Sequence, residues 1–342
     1  VREANQKQLR RIDSLRDELT LTKRQKDAVQ GAMEELRERS EGIFAFKIPY
    51  AHIKRTKKLG SGAFGDVWLA QYDRFKMKVA VKVLKAEKMD RFMLRKFQEE
   101  VVLMSRLEHK NIVRFVGMIW EDPHLAIVLE FVEGGTVTDL LKKSAVVEKT
   151  KPKRASPTPG RSPGFSFKVR RRVGKFAMSV ASPKQVPSRR LEPRLTALSW
   201  AWPKLHVAQG VASACSYLHG LEARVIHRDI KSENVLVCKD SFDAKLADFG
   251  ESREMEDERF QTMTLAGTPY YLAPEVAKGE RYNEKCDVYS FGVVLLEMGH
   301  IGGLRSAFGG AGGMMLITKI IDGWRPTLGP EFSPGSEALP LL

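Results

Sequence analysis

Near the start of the chain apolar side chains recur at an alternating three-four spacing, at Ile12, Leu15, Leu19, Thr22, Lys26, Val29, Met33 and Leu36, with six of the eight positions apolar. Dense Arg, Glu, Lys and Asp around this narrow seam predict an amphipathic helix within residues 1–40. Two arrangements suit it equally: a coiled-coil homodimer through residues 8–36, or a single helix lying on the neighbouring domain. Gly31, inside the pattern, costs about 1 kcal/mol relative to alanine and weakens the helix locally.

After a linker over 41–52 the period shortens. Residues 53–59 and 68–72 read as strands around a glycine-rich turn, and Val79-Ala80-Val81-Lys82-Val83-Leu84 is an alternating strand that projects one lysine among apolar neighbours. A lysine there needs an anionic partner. The helix predicted over 97–107 offers Glu100, with Val101, Met104 and Leu107 marking its buried face. A further strand falls in 125–132, helices follow at 138–142 and 205–218, and residues 287–296 are apolar nearly all round, as a buried helix requires.

Net charge changes this picture in one segment. The 342 residues carry a formal charge of +15, and residues 142–194 hold 16 Lys or Arg against two acids, Glu148 and Glu192, so the remainder is nearly neutral. The same segment contains seven prolines and many serines, which predicts a basic, disordered insertion over 142–197. It is either a solvated loop or a patch for nuclear import or acidic partners at 151–154 and 170–172, with Ser156, Thr158, Ser162 and Ser182 placed for proline-directed phosphorylation. No aromatic-interleaved or groove-reading motif accompanies the charge, so nucleic acid is not the predicted partner. No apolar run approaches the roughly 20 residues of a membrane span. Cys215, Cys238 and Cys286 are widely spaced without a CxxC pair, which argues against a disulfide framework or zinc site and for a reducing, cytoplasmic compartment. Val1, with no apolar signal core after it, reads as an internal start within a longer product.

Three groups of residues carry candidate chemistry. Gly60-Ser61-Gly62-Ala63-Phe64-Gly65-Asp66-Val67 is a glycine-rich turn that opens a strand rather than a helix, so it is not a dinucleotide-binding turn; its glycines let backbone amides approach phosphate oxygens. His227-Arg228-Asp229-Ile230-Lys231-Ser232-Glu233-Asn234 is followed, 14 residues beyond Asn234, by Asp248-Phe249-Gly250. Gly267-Thr268-Pro269-Tyr270-Tyr271-Leu272-Ala273-Pro274-Glu275 and Asp287-Val288-Tyr289-Ser290-Phe291-Gly292 come later.

Together these motifs resemble the eukaryotic protein-kinase family, and their wording, particularly Lys231-Ser232-Glu233-Asn234, is similar to the tyrosine-kinase-like group of serine/threonine kinases. The resemblance covers about residues 53–298 and implies an α+β, bilobal fold: an antiparallel β N-lobe over 53–141 and a mainly helical C-lobe with its core over 198–299. It implies ATP with Mg²⁺ or Mn²⁺ as cofactors and protein substrates as partners. Gly60, Gly62 and Gly65 would cover the ATP phosphates, and Lys82, paired to Glu100, would hold two of them. Leu59, Val67, Ala80 and Leu236 would sandwich the adenine, Leu129 would be the gatekeeper, and the backbone of Glu130 and Val132 would bond the base edge. Asp229 would accept the substrate hydroxyl proton and Lys231 would neutralise the migrating phosphoryl group. Asn234 and Asp248 would hold the metal. Thr268 would contact Asp229 and Lys231, and Asp287 would hold the catalytic loop backbone. Arg228 would pair with a phosphate on Thr262 or Thr264.

Two departures stand out. One is the insertion. The other is the end of the chain, where a glycine-rich run over 299–313 leads to residues 314–324 without the family's final helices or the arginine that pairs with the glutamate matching Glu275, so 300–342 reads as an incomplete C-lobe end. A buried carboxylate left unpaired costs several kcal/mol. The competing expectation is therefore a catalytically inactive, truncated kinase-like scaffold.

Overall fold

Side chains on a strand alternate between the two faces of its sheet, and that rule organises the first half of the protein. A computed structural model describes residues 42–62, 65–85, 90–121, 123–150 (backbone only from 144), 203–254, 269–300, 303–326 and 328, with residues 23, 27, 29–32 and 34. Five strands, β1 (Ile53–Ser61), β2 (Gly65–Tyr72), β3 (Met77–Leu84), β4 (Phe115–Glu121) and β5 (His124–Glu130), form an antiparallel sheet in the order β1-β2-β3-β5-β4. Val79, Val81, Ile119, Ala126 and Val128 enter the apolar cluster on one face. Their alternates Leu84, Met118, Trp120, Leu125 and Ile127 enter the other, where helix α1 (Arg91–Arg106) lies across the sheet with Leu94, Phe97 and Val101 inward. Lys82 sits between Val81 and Val83 and so belongs to the α1 side. Helix α1 starts six residues, nearly two turns, earlier than the apolar periodicity predicts because Asp90 caps it, its carboxylate accepting the Met93 amide at 2.8 Å.

The second half is built around helix α3 (Lys204–His219) and helix α5 (Lys285–Gly299), whose inward faces share one large apolar cluster. Short strands β6 (Val225–Ile226), β7 (Val235–Val237), β8 (Ala244–Leu246) and β9 (Arg253–Glu254) pair two by two, β6 with β9 and β7 with β8. Helix α2 (Val137–Thr150) joins the halves, and α4 (Pro274–Ala277) precedes α5. Among the described residues no helix is long and apolar enough to cross a membrane.

Three expectations are adjusted. Helix α2 continues eight residues past Lys142, the predicted start of the insertion, and residues 151–197 lie outside the described residues. Of the eight seam positions near the start of the chain only Val29 is described. It is buried beside Leu94, Phe97 and Val101 of α1, and the Gln98 amide donates to the Ala32 carbonyl. That packing is what a helix lying on the domain requires at this position. Finally, the glycine-rich run near the end carries helices α6 (Gly303–Ala307) and α7 (Gly313–Ile321). Gly303, Gly309, Gly310 and Gly313 all have φ between 58° and 77°, so the glycines supply the left-handed turns between two short helices. Phe308, fully buried between them, seats the segment on the C-lobe core against Tyr270 and Trp324. Glu275 is half-buried rather than buried and takes part in no ion pair among the described residues.

Phe308→Ala should lower the unfolding free energy by about 3–5 kcal/mol, read as a shift of the urea midpoint, while Met314→Ala on the exposed start of α7 leaves it unchanged. Equal midpoints for the two variants would detach this segment from the core.

Candidate active site

Lys82 reaches across from β3 to α1, where its Nζ donates to Glu100 Oε1 at 2.7 Å and Oε2 at 2.9 Å. From the other half of the molecule Asp248 Oδ1 accepts from the same Nζ at 2.7 Å. Burial works against the Lys82 ammonium, but the two carboxylates outweigh it and hold its pKa well above the ordinary lysine value. Burial likewise opposes ionisation of Asp248, and the Lys82 charge prevails to hold that carboxyl below its usual range. Gly250 lies close under this convergence: a Cβ there would stand 3.3 Å from Lys82 Nζ and 3.4 Å from Glu100 Oε2, a tight fit that the side chains would meet by shifting a few tenths of an ångström.

The loop between β6 and β7 holds the second set of charges. Asp229 Oδ2 accepts from Lys231 Nζ at 2.5 Å and from Asn234 Nδ2 at 2.8 Å. Asn234 Nδ2 also donates to the Asp229 carbonyl at 2.8 Å, so its Oδ1 is the atom left for a cation. Ala247 N donates to the Asn234 carbonyl at 2.9 Å, which ties that residue beside Asp248. Asn234 Oδ1 and the Asp248 carboxylate are hard oxygen donors of the kind Mg²⁺ takes, and Lys82 meets that carboxylate at Oδ1.

Beneath the loop lies Asp287 of α5, fully buried, whose two oxygens accept the amides of His227 and Arg228 at 2.8 Å each, with His219 Nε2 at 2.8 Å from Oδ2. The expected role of Asp287 is therefore met, and His219 is an addition that no motif announced. Burial pushes the His227 pKa down against the pull of the Asp287, Asp229 and Asp248 carboxylates. The His227 Nε2 lies 3.1 Å from the Ala247 carbonyl and its ring meets Phe249 edge-on at 4.8 Å. Arg228 and Asp248 both have left-handed backbone, with φ of 66° and 64°. Such conformations cost a non-glycine residue about 1–2 kcal/mol, and the Asp287 bonds offset the first.

The glycine turn is braced from its flanks. Ser61 Oγ and Lys58 Nζ donate to the two oxygens of Asp66 at 2.6 and 2.8 Å and hold its pKa down at about 2, while Gly62 N donates to the Gly65 carbonyl at 2.8 Å. The three glycines are not equivalent. Around Gly60 and Gly62 there is open space, whereas a Cβ on Gly65 would fall on the Val83 carbonyl oxygen of β3. Only the first two leave room for phosphate; the third lets β2 close against β3.

Between the halves, Leu59, Val67, Ala80, Leu129 and Leu236 are apolar yet none is fully buried, as the walls of an open cleft would be. The strand-to-helix connection is seated on β7, where Thr136 bridges Leu236 and a Cβ on Gly134 would meet the Val237 carbonyl. The Glu130 amide is spent on the Arg114 carbonyl, while the Val132 amide has no backbone partner among the described residues. Thr262, Thr264 and Thr268 lie outside the described residues. Arg228, expected to await a phosphate, donates through Nε to the Glu251 carbonyl at 2.5 Å and through Nη1 to Tyr282 Oη at 3.1 Å. Sequence reasoning passed over Ser232, Tyr271 and Glu297, which form a buried hydroxyl chain under the loop: Ser232 Oγ to Tyr271 Oη at 3.2 Å, and Tyr271 Oη to Glu297 Oε2 at 2.5 Å. No spacing joins them; only the fold does.

A family profile described as "Protein tyrosine and serine/threonine kinase" matches residues 53–325. The chain is similar to the serine/threonine-protein kinase CTR1 of Arabidopsis thaliana, at 33% identity over 251 residues, which are 73% of this chain and 24% of that protein. It is also similar to the serine/threonine-protein kinase STY46 of the same plant (31% over 259 residues; 76% of this chain, 35% of that protein) and to the putative serine/threonine-protein kinase/receptor R831 of Acanthamoeba polyphaga mimivirus (31% over 281 residues; 82% and 14%). The chain thus spans between about a seventh and a third of the length of these relatives.

The different roles of the glycines set up a direct comparison. Gly65→Ala should cost about 1–3 kcal/mol of stability through forced separation of β2 and β3, measured by chemical denaturation, whereas Gly60→Ala should leave stability within about 0.5 kcal/mol and weaken nucleotide binding instead.

Proposed function

The chain belongs to the protein tyrosine and serine/threonine kinase family, and we propose that it transfers the γ-phosphate of ATP to serine and threonine hydroxyls of protein substrates. The observation that carries this reading is the meeting of Lys82, Glu100 and Asp248 from both halves beside an aspartate, Asp229, that is already oriented by Lys231 and Asn234. Phosphoryl transfer asks a protein for position and charge rather than for covalent chemistry.

In this mechanism Lys82 binds the α and β phosphates while Glu100 keeps its ammonium aimed at them. The Val132 amide and the Glu130 carbonyl take the adenine edge, between Leu59, Val67 and Ala80 above and Leu236 below, with Leu129 closing the back. Asn234 Oδ1 and the Asp248 carboxylate would hold Mg²⁺, which when bound would neutralise charge on the phosphates. Asp229 accepts the proton of the incoming hydroxyl, and Lys231, two residues on, lies beside it to stabilise the phosphoryl group in flight. Lys231 at that place resembles serine/threonine rather than tyrosine kinases, and the names of the relatives support the same acceptor. Three free cysteines support a reducing compartment inside the cell as the place of action, in signalling by phosphorylation.

Incubated with ATP and Mg²⁺, the purified chain should incorporate phosphate into a generic basic protein, and Asp229→Asn should lower the rate by about a thousandfold without changing nucleotide binding. A folded chain that binds ATP but transfers nothing would replace this reading with a scaffold.

A further inference from the structure

Four residues before Glu100, and so on the same face of α1, stands Lys96. Its Nζ lies 2.8 Å from Glu251 Oε1 and over the Phe92 ring at 5.4 Å. Glu251 directly follows Asp248-Phe249-Gly250. Its carbonyl is also the acceptor for Arg228 Nε, so one residue contacts α1 through its side chain and the catalytic loop through its backbone. Both ends of the Lys96–Glu251 pair are more than half covered, with side-chain exposures of 17% and 33%. The rest of the segment is fixed as well. Ser252 Oγ donates to the His227 carbonyl at 3.2 Å, and Arg253 and Glu254 pair with β6.

Resting on the phosphotransfer reading above, we propose that Lys96 and Glu251 form a positioning pair that locks α1 onto the segment after Asp248, so that Glu100 reaches Lys82 only while Glu251 is in place. The surrounding charges make the pair necessary. Burial is the main cause that raises the Glu100 pKa, and the Asp248 and Glu251 charges add to it, Glu251 the least. Without Lys96 the face of α1 carrying Glu100 would meet the Asp248 and Glu251 carboxylates with Lys82 as the cation between them. Lys96 supplies the second positive charge and divides the carboxylates between two ammonium groups. Neither residue belongs to the motifs of the glycine turn, the catalytic loop or the metal ligands. Their effect passes through the Lys82–Glu100 distance and not through contact with substrate.

The test uses the full chain and three variants, Lys96→Met, Glu251→Gln and the double variant, with Lys96→Arg as the conservative control. Each single variant should lower kcat by about three- to tenfold with the protein-substrate KM unchanged. The double variant should be no slower than the singles, and Lys96→Arg should keep most of the rate. Hydrogen exchange of the α1 amides should quicken in the three charge-removing variants. Additive losses in the double variant, or a wild-type kcat in Lys96→Met, would overturn the pairing. If the wild-type chain transfers no phosphate, the functional reading fails on its own account, and the exchange measurement decides the pair alone: faster α1 exchange in both single variants supports it, unchanged exchange refutes it.

Discussion

An ammonium group taken out of water must be met by carboxylates, and at Lys82 two of them converge from opposite halves of the protein, Glu100 and Asp248, each at 2.7 Å. Such a cluster adds little net stability, because desolvation consumes most of the Coulomb gain, but losing one member leaves an uncompensated charge at several kcal/mol. It therefore acts as a constraint more than as a source of stability. Strand β3 must present Lys82 on the α1 side, α1 must pack with Glu100 inward, and the turn at Gly250 must stay close under the pair. Much of the apolar packing between the sheet and α1 serves to satisfy those three conditions together.

The C-lobe meets a different constraint, that of backbone conformation. Arg228 and Asp248 adopt left-handed φ values at the two points where the chain must turn a functional side chain into the cleft. Backbone held in such regions persists where the surroundings over-determine it. Asp287, buried on α5, does this for Arg228 by accepting two successive amides, and the edge-on contact of Phe249 with the buried His227 ring ties the second turn to the first. One carboxylate thus decides the shape of a loop nearly 60 residues away in sequence.

The residues of the site were legible where chemistry is written in adjacent positions, and illegible where only packing joins them. Lys82 was visible because an alternating apolar strand carrying one charge follows a glycine-rich turn, and Asp229, Asn234 and Asp248 because they stand in two short motifs that resemble those of the kinase family. Asp287 could be read because the motif it opens, Asp287-Val288-Tyr289-Ser290-Phe291-Gly292, is similar to that family's. Strand β4 went unpredicted because residues 117–120 are buried in succession and show no alternation, and the two- or three-residue strands β6 to β9 because so few residues carry no period. The glycine turn was read as uniform, yet the approach of β3 gives Gly65 a separate task that composition cannot express. The seam containing Val29 was ambiguous for a physical reason: a narrow apolar stripe serves a partner helix or a sheet-and-helix surface equally well until that surface is known. In the fold Val29 meets Phe97 of α1.

The two halves of the chemistry differ in how they are held. Asp229 is oriented by residues two and five positions along the chain, so its geometry arises wherever the loop between β6 and β7 forms. Lys82 depends on partners 18 and 166 positions away, so its geometry arises only when α1, β3 and the Asp248 turn are assembled against one another. Local contacts close with little loss of chain entropy, and distant ones wait for the whole arrangement. Asp229 is accordingly a fixed feature of the C-lobe, while the orientation of Lys82 is conditional on how the lobes meet. A protein built this way is controlled most economically through α1 and not through Asp229, because displacing one helix removes the orientation of Lys82 and leaves the Asp229 contacts intact.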